Sequence, residues 1–219
     1  MLPLLITTVA MILAGVLIFI SMKDREANLA VNYYNAGVSY LQIGEVDKAI
    51  IQFQKALEKN RVLSAAHYGL GLAYASKEKY QEAIPELEFA LKQRQTNPVI
   101  YYNLGSTYLY ARDYDRAQAV FERALALKPR IKEIYFNLGW ILKEKGDLAG
   151  AKENFAKALE LDSQYQKARK YLGVLEEMEK EKKKAELLEV LKHFDEKDTE
   201  FMIQLSSDQK PGSHRTISI

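Results

Sequence analysis

Four stretches of eight residues, each beginning 34 residues after the last, constrain this chain more than any other feature of its sequence. They read YYNAGVSY at 33–40, HYGLGLAY at 67–74, YYNLGSTY at 101–108 and YFNLGWIL at 135–142. Self-similarity at such a period is typical of architectures in which one supersecondary unit is copied along the chain. We therefore divide this part of the sequence into four units: 30–63, 64–97, 98–131 and 132–165.

Small and aromatic side chains recur at fixed positions of these units, counted from the first residue of each unit. Position 8 is glycine and positions 20 and 27 are alanine in all four units, while position 24 is Phe53, Leu87, Phe121 or Phe155. Apolar residues also follow an i, i+3, i+4, i+7 spacing in two segments of each unit, which predicts a pair of amphipathic helices. Small residues fit where helix backbones approach closely, and one pair cannot bury its apolar face alone, so neighbouring pairs must stack.

Glycine at position 8 with alanine at positions 20 and 27 is the signature of the tetratricopeptide repeat, and residues 30–165 resemble that family. The resemblance implies an all-α fold, a right-handed α-solenoid of four helix pairs. The chain departs from the family at position 4, where the usual tryptophan is replaced by Tyr33, His67, Tyr101 and Tyr135.

The sequence after the fourth unit begins a further first helix at about Gln166 but does not supply its partner. We expect this helix to cap the last repeat and to continue as a charged amphipathic helix to residue 205, because a terminal repeat needs a polar outer face. Its apolar side chains group on one side: Leu187, Leu188, Leu191 and Phe194. Three roles stay open for that side, namely docking on the solenoid, pairing with another chain, or binding a partner. The tail, 206–219, is polar and without periodicity, which predicts disorder.

Residues 2–22 carry no charged side chain. At about 1.5 Å per residue, a helix of this length crosses a hydrocarbon core of roughly 30 Å, so we expect a transmembrane anchor over 1–22 and a linker over 23–29. A cleaved signal peptide is the alternative, although no basic segment precedes the apolar one. Lys23 and Arg25 follow the apolar stretch. The positive-inside rule then predicts a single-pass membrane protein with a cytoplasmic repeat domain.

Composition and motifs argue against enzymatic catalysis, metal binding and nucleic-acid binding. The chain has 31 basic and 29 acidic residues, a balance unlike that of proteins that neutralise phosphates. It has no cysteine, and its histidines, His67, His193 and His214, lack the spacing of metal ligands. The glycines recur on helices rather than in a phosphate-binding loop, and no Ser-His-Asp order has a supporting context. We therefore expect no enzyme activity, catalytic residue, cofactor, metal or small-molecule substrate.

In tetratricopeptide proteins the first helix of each unit lines a concave groove, to which positions 2, 5, 6, 9, 12 and 13 commonly contribute. The resemblance thus implies a partner-binding groove formed by Tyr34, Asn35, Tyr68, Tyr102, Asn103, Ser106, Tyr110, Phe136, Asn137 and Trp140. Aromatic rings give contact area at low entropic cost, and an asparagine amide both donates to and accepts from a peptide backbone. We expect this groove to favour a neutral or apolar segment, while a purely structural role for the same columns stays open.

Co-chaperone members of the family hold a terminal carboxylate with basic and asparagine side chains on the first and third repeats. The matching residues here are Tyr34, Val38, Tyr102 and Ser106, so that clamp is missing. We hypothesise a membrane-anchored, non-catalytic scaffold that binds a peptide or partner segment in its groove. The alternatives are a self-assembling scaffold that organises a membrane compartment, similar to magnetosome-associated members of the family, an assembly factor for envelope or secreted components, and an accessory subunit of an enzyme.

Overall fold

The protein is described from a computed structural model, which describes residues 2–94, 96–128 and 130–208. Within these ranges every regular element is an α-helix, which confirms the prediction of an all-helical repeat architecture. The helices are α1 (Leu2–Gln42), α2 (Val46–Lys59), α3 (Ser64–Ser76), α4 (Tyr80–Gln93), α5 (Pro98–Tyr110), α6 (Tyr114–Ala126), α7 (Lys132–Glu144), α8 (Leu148–Leu161) and α9 (Gln166–Asp208). The chain divides into two compact units between Ser163 and Gln164.

The four helix pairs are closed by one recurring turn. In each pair, the residue two positions before the second helix adopts a left-handed backbone: Gly44, Glu78, Arg112 and Gly146. The amide N–H of this residue donates to the carbonyl three residues back, and the next amide donates to the carbonyl five residues back, as in Gly44 to Leu41 and Glu45 to Tyr40. This is the Schellman arrangement, which satisfies the last carbonyls of the first helix. Two units therefore form the turn with a non-glycine residue at positive φ.

The core of each unit forms where the glycine at position 8 meets the side chain at position 24. A Cβ added to Gly37, Gly105 or Gly139 would lie 2.6–2.7 Å from a ring carbon of the phenylalanine in the same unit. In the second unit a Cβ on Gly71 would lie 2.7 Å from Cγ of Leu87. These position-24 side chains and the alanines at positions 20 and 27 are fully buried in all four units. The glycines thus let the two helices of a pair approach to ring-contact distance.

Neighbouring units are joined by side chains at equivalent positions. Lys77 pairs with Asp47, and Lys145 Nζ lies 2.6 Å from Asp115 Oδ1, so position 14 of one unit contacts position 18 of the unit before it. The second junction has Ala111 and Gln81 at these positions. There Tyr80 and Tyr110 stack instead, with ring centroids 5.9 Å apart and planes 16° apart. The two ion pairs lie at the surface, so each stabilises its junction by only about 0–1 kcal/mol.

The first helix differs from the predicted arrangement, in which an anchor over 1–22 was followed by a linker over 23–29. Residues 23–29 lie within α1, which runs without interruption from Leu2 to Gln42. In the part of the chain that the structure describes, no helix is both long enough and apolar enough to cross a membrane. The predicted single-pass localisation, with its anchor over 2–22, is therefore wrong.

The predicted carboxy-terminal segment is a single long helix as far as it is described. Helix α9 begins at Gln166, the residue at which the capping helix was expected to start, and continues to Asp208. Leu187, Leu188 and Leu191 are more than half exposed on it. The disordered tail was expected over 206–219, of which 209–219 lie outside the described residues.

Candidate partner-binding groove

The aromatic column at position 5 bridges the core and the surface of the first helices. Tyr34, Tyr102 and Phe136 each contact the buried phenylalanine at position 24 of their own unit, with ring centroids 6.0, 6.4 and 5.5 Å apart. All three rings are tilted by 43° to their partners, and the centroid separations lie within the range that aromatic pairs favour. Each ring is half-buried. One part of each ring is therefore fixed by the core while the rest stays accessible.

Asparagines at position 6 connect neighbouring first helices. Asn103 Nδ2 donates to the hydroxyl of Tyr68 at 2.6 Å, and Asn137 Nδ2 donates to Ser106 Oγ at 3.4 Å. One amide proton of each asparagine is thus used between repeats, a role that the sequence did not reveal. The second amide proton and the amide oxygen of each side chain have hydrogen-bonding capacity left, since an asparagine amide has two donors and one acceptor oxygen.

The asparagine column is interrupted by Gly69 for a steric reason. A Cβ at this position would lie 2.6 Å from two ring carbons of Phe53 in the preceding unit. The same ring also abuts Gly37 of its own unit at 2.6 Å. Asn137 occupies the equivalent place after Phe121, so this close approach is particular to the first junction.

Two tyrosine hydroxyls of the groove, those of Tyr68 and Tyr102, have a raised pKa. Burial raises the pKa of Tyr68, although the hydrogen bond from Asn103 works in the opposite direction. Burial likewise raises the pKa of Tyr102, against the effect of its hydrogen bond with Ser106. Both hydroxyls therefore remain hydrogen-bond donors over the physiological pH range.

Of the side chains at the groove positions of the first helices, only those of the fourth unit include charged residues: Glu133, Lys143 and Glu144. Lys143 Nζ lies 5.0 Å from the ring centroid of Trp140, a cation–π distance, and 2.9 Å from Glu144 Oε1. Tyr110, which is 67% exposed, stacks on Tyr80. Sequence analysis missed Tyr80, whose only signal is an aromatic residue at the start of a second helix. The structure thus places Tyr80 beside the predicted groove residue Tyr110.

The histidine of the second unit lies in a structural cluster. His67 Nδ1 is 2.5 Å from Glu86 Oε2, its Nε2 is 3.0 Å from the backbone oxygen of Arg61, and its ring centroid is 3.9 Å from that of Phe89. Among the residues described, no group of three histidine, aspartate or glutamate side chains is placed to hold a metal ion.

Several solved structures are similar to this chain. One is PilF of Pseudomonas aeruginosa, with 25% identity over 71% of each chain and a TM-score of 0.63. Another is YrrB, described as a tetratricopeptide protein with an unusual peptide-binding site, with 28% identity over 74% of this chain and 84% of that one and a TM-score of 0.62. A third is MamA, with 26% identity over 67% and 86% and a TM-score of 0.60.

Among curated proteins, none matches the chain. A family model does match, over residues 20–210, and it describes the amino-terminal ARM repeat of tetratricopeptide repeat protein 21. Together with the helix pairs and the recurring glycine contacts, this match shows that the chain belongs to the family of helical repeat proteins represented by the tetratricopeptide repeat protein 21 N-terminal ARM repeat.

Proposed function

We propose that this protein is a non-catalytic scaffold that binds a segment of a partner protein along its first helices. The observation that carries the proposal is the column of half-buried rings at position 5, three of which (Tyr34, Tyr102 and Phe136) are each fixed on one side by a buried phenylalanine. Rings held in this way contribute contact area without losing rotamer freedom on binding. Similarity to YrrB, a tetratricopeptide protein with a peptide-binding site, supports the same conclusion.

The third and fourth units offer the most complete surface. Tyr102, Ser106 and Asn137 provide a ring, a hydroxyl and an amide on two neighbouring helices, and Tyr110 adds an exposed ring. A bound segment contacts rings with its apolar side chains and the remaining amide groups with its backbone. Truncating a ring at the centre of such an interface typically costs about 1–3 kcal/mol of binding energy.

The test uses a photo-crosslinking residue in place of Tyr110, with the exposed Ala119 of α6 as a matched control position. A partner captured from Tyr110 alone is then purified, and its affinity is measured against Tyr102→Ala and Tyr110→Ala. We expect each substitution to weaken binding by roughly 5- to 150-fold, the range that corresponds to about 1–3 kcal/mol. Tyr110→Ala is the cleaner variant because its ring is largely outside the core. Unchanged affinity in both variants would exclude the groove.

Self-association is the second candidate. The observation that favours it is the row of leucines on α9, where Leu187, Leu188 and Leu191 are 59%, 52% and 51% exposed. An exposed apolar stripe on a charged helix is typical of a surface that pairs with another helix. Sedimentation of the full chain over a range of concentrations separates the two candidates. A mass that rises with concentration and falls to that of a monomer in Leu187→Glu favours assembly, whereas a constant monomer mass excludes it.

A further inference from the structure

A second surface lies on the opposite side of α5 from the groove. Positions 4, 7 and 11 of this helix are Tyr101, Leu104 and Tyr108. At about 100° per residue they share a face that points away from positions 5, 6, 9 and 13, which belong to the groove. Together with residues of α4 and α6 they line a cavity of about 410 Å³. Its lining residues are Glu88, Leu91, Lys92, Tyr101, Leu104, Tyr108, Val120 and Arg123.

Comparison of the repeats explains why space is left here. In the second unit, positions 4, 23 and 26 hold His67, Glu86 and Phe89, and His67 contacts both the carboxylate and the phenylalanine ring. In the third unit the same positions hold Tyr101, Val120 and Arg123. Valine is smaller than glutamate, and Arg123 is exposed. The volume that Phe89 occupies in one repeat is therefore open in the next.

The rim of this cavity has two cations and one engaged carboxylate. Glu88 and Lys92 have the i, i+4 spacing of a helical ion pair, yet Glu88 accepts a hydrogen bond from the hydroxyl of Tyr108. Both cations, Lys92 and Arg123, are exposed. Leu91, Leu104 and Val120 are the aliphatic lining residues of the cavity. The cavity thus has apolar and polar lining groups side by side, and its charged side chains carry a net positive charge.

We propose that this cavity binds a small amphiphilic carboxylate, meaning an apolar or aromatic group about the size of one amino-acid side chain that carries one carboxylate. The apolar group lies on Leu91, Leu104 and Val120, and the carboxylate faces Lys92 and Arg123. Charge complementarity selects the anion, because a neutral analogue leaves both cations without a partner. The volume is at the lower end of the range typical of small-ligand sites. This site is independent of the groove and does not rest on the function proposed for it.

The experiment follows the methyl resonances of Leu91, Leu104 and Val120 in the full chain while ligand is added. The probes are phenylpropanoate and its uncharged amide, which differ only at the carboxylate. We expect saturable shifts with the acid and about two- to fivefold weaker binding of the amide, the range of exposed charge pairs. N-acetylphenylalanine provides a further arm. Tighter binding of this probe than of phenylpropanoate would identify the terminal residue of a polypeptide as the source of the carboxylate, and equal binding would identify a free small molecule.

Variants at position 26 separate the effect of charge from that of space. Arg123→Gln removes one of the two cations and leaves the cavity open, so the affinity for the acid should fall toward that for the amide, while Lys92 still faces the carboxylate. Arg123→Phe introduces the residue that fills this place in the second unit, and it should abolish binding of both probes. Lys55→Gln, at position 26 of the first unit, is the matched control and should bind as the unmodified chain does. Equal affinity for acid and amide, or saturable binding that survives Arg123→Phe, would overturn the proposal.

Discussion

Replacement of Gly69 by alanine tests the packing at the first junction most directly. The ring of Phe53 is wedged between two glycines, and a Cβ on either one would lie 2.6 Å from a ring carbon. Because the ring is fully buried and abuts Gly37 on its other side, it has no space into which to retreat. The strain must then be relieved by moving α1 and α3 apart.

The expected magnitude follows from two opposing effects. Overpacking of a buried site costs about 1–3 kcal/mol, whereas replacing a helical glycine by alanine gains about 0.5–1 kcal/mol. The difference between these ranges is about 0–2.5 kcal/mol, so we expect Gly69→Ala to lower the free energy of unfolding by about 1 kcal/mol, and by no more than about 2.5 kcal/mol. Gly173→Ala is the matched control, because a Cβ there has no atom within 4 Å. That control should gain the helix propensity alone.

The assay is urea unfolding followed by circular dichroism, extended to a double-mutant cycle with Phe53→Leu. Leucine is the residue at this position in the second unit, where it packs against Gly71. Since the smaller side chain relieves the contact, the double variant should be more stable than the sum of the single changes by at least about 0.5 kcal/mol. If Gly69→Ala is as stabilising as Gly173→Ala, the wedged-ring argument is refuted.

Two further predictions concern pH. Asp113 caps α6 and accepts from the backbone amide and the guanidinium of Arg116, and this hydrogen bonding holds the pKa of Asp113 below its usual value. A lowered pKa in the folded state gives stability that is present above the ordinary aspartate range and is lost as pH falls. Asp113→Ala should therefore lower the free energy of unfolding by about 1 kcal/mol at neutral pH. It should also make that free energy depend less on pH in the acid range. Burial, with Glu88 beside it, raises the pKa of Tyr108 to about 12. Because the unfolded tyrosine titrates near 10, the folded state binds the proton more tightly and stability should fall as pH rises from about 10 to 12, with a smaller fall in Tyr108→Phe.

The helix pairs could be predicted from sequence because their signals are local. Position 8 and position 24 are separated by a fixed number of residues within one unit, and the glycine–ring contact recurs at 2.6–2.7 Å in the three units that have phenylalanine. The continuity of α1 was also readable. Residues 23–29 contain neither glycine nor proline, and charge alone does not end a helix. We inferred the linker from the charged residues in this segment. The absence of a helix breaker instead predicted a continuous helix.

The cross-repeat contacts could not be predicted because they depend on how units stack. Asn103 and Tyr68 are 35 residues apart, and nothing local indicates that the amide reaches the hydroxyl. The stack of Tyr80 on Tyr110 has the same origin. At two turns, Glu78 and Arg112 adopt the left-handed backbone that glycine adopts at the others. There the Schellman hydrogen bonds, rather than the residue's own preference, determine the conformation.

The departures at position 4 show how a repeat protein compensates within a unit. In the first unit Tyr33 has Lys55 of position 26 at 5.9 Å from its ring centroid. In the second unit the ring and the polar group exchange places, since His67 is now at position 4 and Phe89 at position 26. Glu86 then supplies the partner for the imidazole. Each unit contacts only its neighbours, so side chains of the same unit compensate for such an exchange and the 34-residue register stays unchanged. The third unit has Arg123 at position 26, where the second unit has the ring of Phe89, and the cavity lined by Arg123 lies at this place.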